Sequence, residues 1–135
     1  MARARILFVD DDPDDRDLIS RLLREEALLD DCRVLGSGRD LLQHLYGLPD
    51  AELPEMVVLD LNMPVIGGRD LVHVLKDFER YQAIMVFLLT TSPRGAEVEE
   101  CIRSGAAGYY CKPGSLQAWR GLLRELYGIA SDSWV

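Results

Sequence analysis

Short apolar runs alternate five times with segments in which apolar residues recur at a helical spacing. The runs predict five strands, at residues 6–9, 32–35, 56–59, 84–89 and 108–111. The helical spacing predicts five helices, at residues 18–27, 41–48, 71–78, 98–102 and 116–126. This alternation is typical of a parallel sheet with helices on both faces. We therefore expect a doubly wound α/β fold of the (βα)5 type.

Length and charge narrow the possible functions. The 135 residues suit one domain, predicted at residues 1–128, followed by a short tail at residues 129–135 with no output domain. The net charge of −8 disfavours binding to nucleic acid, because phosphates would repel the chain. No apolar run approaches the ~20 residues of a membrane span, and the N-terminus has no signal-peptide pattern. The three cysteines lack metal-ligand spacing, so we expect reduced thiols in a cytoplasmic protein.

Polar residues follow four of the predicted strands. Asp10 and Asp11 come after the first strand, Asp60 after the third, Thr90 after the fourth and Lys112 after the fifth. In open parallel sheets, sites form outside the carboxyl ends of the strands. Three carboxylates at one edge would repel one another unless a cation lies between them, and oxygen ligands suit Mg²⁺. With a lysine and a hydroxyl to hold phosphoryl oxygens, the pattern predicts phosphoryl transfer to a carboxylate.

The other acidic residues near the first strand have a structural explanation. Asp12 followed by Pro13 reads as the N-cap and first residue of a helix. Asp14 and Asp15 are then favoured by the helix dipole, and we expect all three of these aspartates to be structural. A calcium loop is excluded, because Asp15 and Arg21 occupy the positions where an EF-hand needs Gly and Glu.

Four motifs stand at the ends of predicted strands: Val9-Asp10-Asp11, Leu59 to Pro64 with Gly68, Leu89-Thr90-Thr91-Ser92, and Tyr109 to Pro113. With these motifs, the chain from Ile6 to about Leu126 resembles a receiver domain of the two-component response regulators, the CheY-like family. Gly67 departs from the family, which usually has an acidic residue before Gly68, but no expected ligand is lost. The resemblance implies a flavodoxin-like sheet with strand order 2-1-3-4-5.

The resemblance also implies a Mg²⁺ site. Asp60 matches the residue that accepts the phosphoryl group. Asp11 and Asp60 would bind Mg²⁺ directly, together with the main-chain carbonyl of Asn62. Asp10 would act through a bound water.

Further roles follow from the same resemblance. Thr90 and Lys112 would hold the phosphoryl oxygens, and the Lys112–Pro113 peptide bond would be cis. Tyr109 matches the aromatic switch residue, which turns inward when Thr90 moves towards the phosphoryl group. The surface of the fourth helix, fifth strand and fifth helix would then change shape.

The implied function is that of a single-domain response regulator phosphorylated by a sensor histidine kinase. It would catalyse its own phosphorylation and dephosphorylation without being a conventional enzyme. One alternative is an intermediate carrier that passes the phosphoryl group to a histidine phosphotransfer protein. A phosphatase of the haloacid-dehalogenase type would also use a strand-end aspartate, as in Asp10-x-Asp12, but needs a longer chain. A docking-only pseudo-receiver would normally lack an acid, the threonine or the lysine.

Two segments of the chain indicate which proteins it binds. The connection at residues 47–55 is similar to that of stand-alone regulators paired with phytochrome-type histidine kinases. The C-terminal Trp134 and Val135 either form a frayed end or cross to a second copy of the chain. We therefore expect a homodimer, formed through that tail or through the surface of the fourth helix, fifth strand and fifth helix.

Overall fold

The computed structural model describes residues 4–92 and 95–132. Its strands form one parallel sheet in which the second strand lies at one edge and the fifth at the other, in the order 2-1-3-4-5. This confirms the predicted fold class and strand order. The strands are β1 (Ile6–Val9), β2 (Cys32–Leu35), β3 (Met56–Asp60), β4 (Met85–Thr90) and β5 (Gly108–Cys111).

Helices connect the strands, and several of them are capped by the residues that precede them. Asp12 accepts a hydrogen bond from the Asp14 amide at 2.9 Å, with Pro13 as the first helical residue. Ser37 and Ser115 cap two later helices in the same way. The helices are α1 (Pro13–Glu25), α2 (Gly38–Tyr46), α3 (Gly68–Asp77), α4 (Ala96–Arg103) and α5 (Leu116–Ser131).

The sheet divides the core into two layers, and β1 shows how the sequence builds both. Leu7 and Val9 point into the layer that contains residues of α2, α3 and α4. Ile6 and Phe8 point into the layer that contains residues of α1 and α5. Because successive strand residues face opposite sides, a strand covered on both faces must be apolar throughout. The carboxyl ends of the strands, by contrast, are free to carry polar side chains.

The last helix is longer than its apolar spacing predicts. α5 runs to Ser131 and so includes the first residues of the predicted tail. The reason is packing, since the side chain of Ala130 is fully buried in the α1 and α5 layer. Trp134 and Val135 lie outside the described residues. No helix in the described ranges is long and apolar enough to cross a membrane.

Arg80 organises the connection at residues 47–55. Its guanidinium donates hydrogen bonds to the carbonyls of Leu45 and Leu48 at the end of α2, and it pairs with Asp50. It also lies 5.3 Å from the centre of the Tyr81 ring. These contacts hold the connection, which contains a 3-10 turn at Asp50–Glu52, against the 3-10 turn at Glu79–Tyr81 that precedes β4.

Candidate functional site

The polar residues predicted at the strand ends lie at one edge of the sheet. Asp10 follows β1, Asp60 ends β3, Thr90 ends β4 and Lys112 follows β5. Asp10, Asp60 and Thr90 are 1%, 4% and 1% exposed, and within the described residues they are the fully buried polar side chains. Burying polar groups is costly unless they have partners, so their grouping at one edge marks a functional site.

Three carboxylates form a cluster at this edge. Oxygen atoms of Asp10, Asp11 and Asp60 lie within 4.8 Å of one another, with Asp11 the most open to solvent. One oxygen of Asp10 accepts a hydrogen bond from the Asp12 amide at 3.0 Å, and one of Asp60 accepts from the Asn62 amide at 3.1 Å. The loops after β1 and β3 therefore fix two of the carboxylates through main-chain donors.

Burial changes the acidity of Asp10. It raises the pKa of this carboxyl to about 6, despite the opposing effects of the Asp12 amide and Lys112. The nearby charge of Asp60 acts in the same direction as burial. The charged form of Asp10 is thus disfavoured by its surroundings, and a cation beside it would offset that cost.

Lys112 is the positive charge of the site. Its Nζ lies 3.0 Å from an oxygen of Asp10, 2.9 Å from Asp15 and 3.2 Å from Asp60. Partial burial alone would lower the pKa of Lys112, but hydrogen bonds to Asp15 and Asp10 raise it above its ordinary value, as do the charges of Asp10 and Asp60. The ammonium group therefore stays protonated.

Asp15 lies in the first turn of α1 as predicted, and it makes a contact that the sequence did not predict. We expected a structural role in the first turn of α1, but its carboxylate accepts a hydrogen bond from Lys112. A signal was present, because helical side chains tilt towards the N-terminus of their helix. The N-terminus of α1 lies at the carboxyl edge of the sheet, directly after the residues of the site.

Thr90 and Tyr109, the predicted switch residues, lie in the neighbouring strands β4 and β5. The Thr90 hydroxyl is buried and accepts a hydrogen bond from the Ser92 amide at 3.0 Å. The Thr90 carbonyl accepts from the Lys112 amide at 2.9 Å, which connects the ends of β4 and β5. Tyr109 is 47% exposed, so its ring faces solvent in this conformation.

One predicted feature is wrong. No cis peptide bond occurs in the described residues, so the Lys112–Pro113 bond is trans. The trans form is the lower in energy for a bond before proline by about 0.5–1 kcal/mol. The direction of the lysine side chain is already set by its three carboxylate partners.

The loop after β3 needs a glycine. A Cβ atom on Gly68 would lie 2.8 Å from the Cα of Leu61 and 3.2 Å from the Asp60 carbonyl oxygen. The Gly68 amide also donates to the Leu61 carbonyl at 3.3 Å. This close approach of backbone to backbone keeps the segment from Asp60 to Asn62 against the start of α3.

The donor set fits a hard divalent cation. Carboxylate oxygens from two strand ends converge, and one buried oxygen of Asp10 has no aligned hydrogen bond although Lys112 is near it. Mg²⁺ prefers oxygen ligands of this kind and keeps several waters, which the more open Asp11 allows. Next to such a cation, a carboxylate and a lysine can accept and hold a phosphoryl group.

The chain has relatives among curated proteins. The chain is 31% identical over 113 residues to an uncharacterised 14.6 kDa protein of Leptolyngbya boryana, covering 84% of this chain and 82% of that protein. Several other curated relatives are longer, and the chain spans about half of their length.

Solved structures share the fold. The phosphorylated cyanobacterial phytochrome response regulator RcpA superposes with a TM-score of 0.83 at 20% identity, covering 99% of this chain and 98% of that one. A response regulator in red light signalling of R. palustris has a TM-score of 0.77 at 27% identity, with 92% of each chain covered.

The family model described as the response regulator receiver domain matches residues 6–124. That range contains the whole sheet, the carboxylate cluster, Thr90 and Lys112. This chain belongs to the response regulator receiver domain family of two-component systems.

Proposed function

We propose that the protein is a phosphorylation switch in which Asp60 accepts a phosphoryl group from the phosphohistidine of a sensor histidine kinase. The observation that carries the proposal is the environment of Asp60. It is a buried carboxylate 3.2 Å from the Lys112 ammonium and within 4.8 Å of two further carboxylates. A carboxylate in a structural ion pair would need none of those additional acids.

The chemistry follows from these contacts. An oxygen of Asp60 attacks the phosphorus, the new O–P bond forms, and the P–N bond to histidine breaks with its electron pair leaving on the imidazole nitrogen. Lys112 remains protonated and donates to the phosphoryl oxygens. The Thr90 hydroxyl, at the end of the neighbouring strand, is the second donor.

Receiver domains bind Mg²⁺ or Mn²⁺ at their acidic site, and we assign the same role to the carboxylate cluster here. Asp11, Asp60 and the main-chain carbonyl of Asn62 would hold Mg²⁺ directly, and Asp10 through a water. When bound, Mg²⁺ supplies positive charge that offsets the negative charge of the carboxylates and the phosphoryl oxygens. The hydrogen bond from the Asn62 amide keeps one Asp60 oxygen fixed.

The signal would leave the site through Thr90 and Tyr109. Movement of the Thr90 hydroxyl towards the phosphoryl group vacates space that the Tyr109 ring, now facing solvent, can enter. The surface formed by α4, β5 and α5 then changes. Ile102, Tyr109 and Leu116 already expose apolar side chains on these three elements, which supports this surface as the contact for a second copy.

Two of the similar structures bear on the kinase. RcpA is a phytochrome response regulator, and the R. palustris protein acts in red light signalling. Together with the connection at residues 47–55, they support a phytochrome-type histidine kinase as the phosphate donor. Three unpaired cysteines are consistent with the cytoplasm as the location.

The test is phosphorylation of an Asp60→Asn variant. The wild-type protein is incubated with Mg²⁺ and either acetyl phosphate or a phosphorylated histidine kinase. Mass spectrometry of the intact protein is expected to show the addition of one phosphoryl group. The variant keeps the shape of the side chain but not the nucleophilic carboxylate, and is expected to gain none.

The matched control is Asp70→Asn, which removes an exposed carboxylate from the first turn of α3. It should be phosphorylated like the wild type. Labelling of Asp60→Asn at the wild-type level would contradict the assignment of the phosphoacceptor.

A further inference from the structure

Lys112 has a carboxylate partner that is separate from the carboxylate cluster. Asp15 of α1 is its shortest contact, at 2.9 Å, against 3.0 Å for Asp10 and 3.2 Å for Asp60. The three carboxylates that lie within 4.8 Å of one another are Asp10, Asp11 and Asp60, without Asp15. Asp15 therefore contacts the lysine of the site and is not a member of the carboxylate cluster that would hold a cation.

The position of Asp15 on its helix suits a carboxylate. It lies in the first turn of α1, where the helix dipole favours a negative charge. Its side chain is 23% exposed, whereas that of Lys112 is 16% exposed, so the pair is partly shielded from water. The contact spans 97 positions in sequence and joins α1 to the end of β5.

The contact has a consequence for phosphorylation. An ammonium group has three N–H donors, and the Nζ of Lys112 already has three carboxylates around it. A phosphoryl group on Asp60 needs one of those donors. A cation bound in the carboxylate cluster can replace Lys112 as the positive partner of Asp10 and Asp60. Asp15 lies outside that cluster, and Lys112 is its only positive partner among the described contacts.

We propose that Asp15 is a positioning residue that holds Lys112 in the unphosphorylated state and competes with the phosphoryl group for it. This inference rests on the function proposed for Asp60. Asp15 lowers the affinity of the site for a phosphoryl group and sets how completely a given donor can phosphorylate the protein. Removing its charge should strengthen phosphoryl binding, which distinguishes Asp15 from a residue that only stabilises the site.

The test is the affinity for beryllofluoride, which occupies the place of the phosphoryl group on an aspartate. At saturating Mg²⁺, fluorine NMR titration is expected to give a dissociation constant for Asp15→Asn about three- to tenfold lower than for the wild type, the range expected for loss of one partly screened charge contact. Local damage to α1 would change the constant in the opposite direction. A lower dissociation constant therefore supports the inference, and a higher one does not.

The control is Asp14→Asn, which removes the same charge from the same turn at an exposed position. It should bind beryllofluoride with the affinity of the wild type. An equal gain in affinity in both variants would show that the effect comes from the net charge of the protein, and would overturn the inference. Equal or weaker binding by Asp15→Asn would also overturn it, while leaving the role of Asp60 intact. Failure of the wild type to bind beryllofluoride with Mg²⁺ would overturn the proposed function and this inference with it.

Discussion

Asp10 shows most directly how the site is built at the expense of stability. Its carboxyl is 1% exposed, and burial raises its pKa to about 6. An ordinary carboxyl in the unfolded chain titrates near 3.8. The folded state therefore binds the proton of Asp10 more tightly than the unfolded state does, and the charged form of Asp10 opposes folding.

This difference predicts how stability depends on pH without metal. The contribution of Asp10 is most favourable below pH 4, falls as the pH rises from about 4 to about 6, and is fully unfavourable above that range. Asp10→Asn removes the charge, so in EDTA at pH 7.5 we expect it to raise the free energy of unfolding by on the order of 1–2 kcal/mol. Urea denaturation at pH 4.5 and 7.5 measures both values.

The gain should be smaller at pH 4.5, where Asp10 in the wild type is largely protonated. Asp70→Asn, at an exposed position of α3, should change stability little at either pH. A loss of stability in Asp10→Asn at pH 7.5 would mean that the Lys112 ion pair outweighs the burial of the charge. With Mg²⁺ present, the same variant should bind the ion more weakly than the wild type.

At the scale of single elements, two adjacent glycines between β3 and α3 differ in the space that a side chain would have. A Cβ on Gly68 would come 2.8 Å from the Leu61 backbone, whereas one on Gly67 would meet only ordinary contacts, the nearest at 3.4 Å. We expect Gly68→Ala to lower the free energy of unfolding by about 1–3 kcal/mol and to weaken Mg²⁺ binding, because the Asp60 to Asn62 segment must move.

Gly67→Ala is the matched control, with an expected loss below about 1 kcal/mol and unchanged Mg²⁺ binding. Chemical denaturation and Mg²⁺ titration of both variants separate the two positions. Equal losses would show that the close contact at Gly68 does not govern the effect, because the reduced flexibility of the unfolded chain in a Gly→Ala variant acts to raise stability.

Most of these elements were predictable because local signals and packing agree. The apolar runs predicted β2 and β5 at their observed bounds, and the N-cap at Asp12 with Pro13 after it marked the start of α1. The contact between Asp15 and Lys112 was not predicted, because a first-turn acid is explained by the helix dipole whether or not the lysine that follows β5 lies beside it. The end of α5 also depends on a tertiary contact, the burial of Ala130.

At the scale of the whole molecule, the exposed apolar side chains of α4, β5 and α5 are the basis for expecting self-association. Ile102 is 38% exposed, Tyr109 47% and Leu116 43%. If this surface forms the dimer, Ile102→Asp should increase the dimer dissociation constant by tenfold or more, since a charge would be buried in an apolar contact, about 1.4 kcal/mol or more. Light scattering with and without beryllofluoride measures the constant.

Tyr46→Asp is the matched control, because Tyr46 is 85% exposed on α2, away from these three elements. It should leave the dissociation constant unchanged. A dimer that survives Ile102→Asp but is lost on removal of residues 131–135 would assign self-association to the C-terminal tail.

The three cysteines differ sharply in accessibility, and this has a practical use. Burial raises the pKa of Cys32 to about 12 and that of Cys101 to about 11, so both thiols are protected and hold little thiolate. Cys111 is exposed and directly precedes Lys112. A maleimide dye should therefore attach selectively to this one thiol, placing a fluorescent reporter next to Lys112 in the sequence without any engineered cysteine.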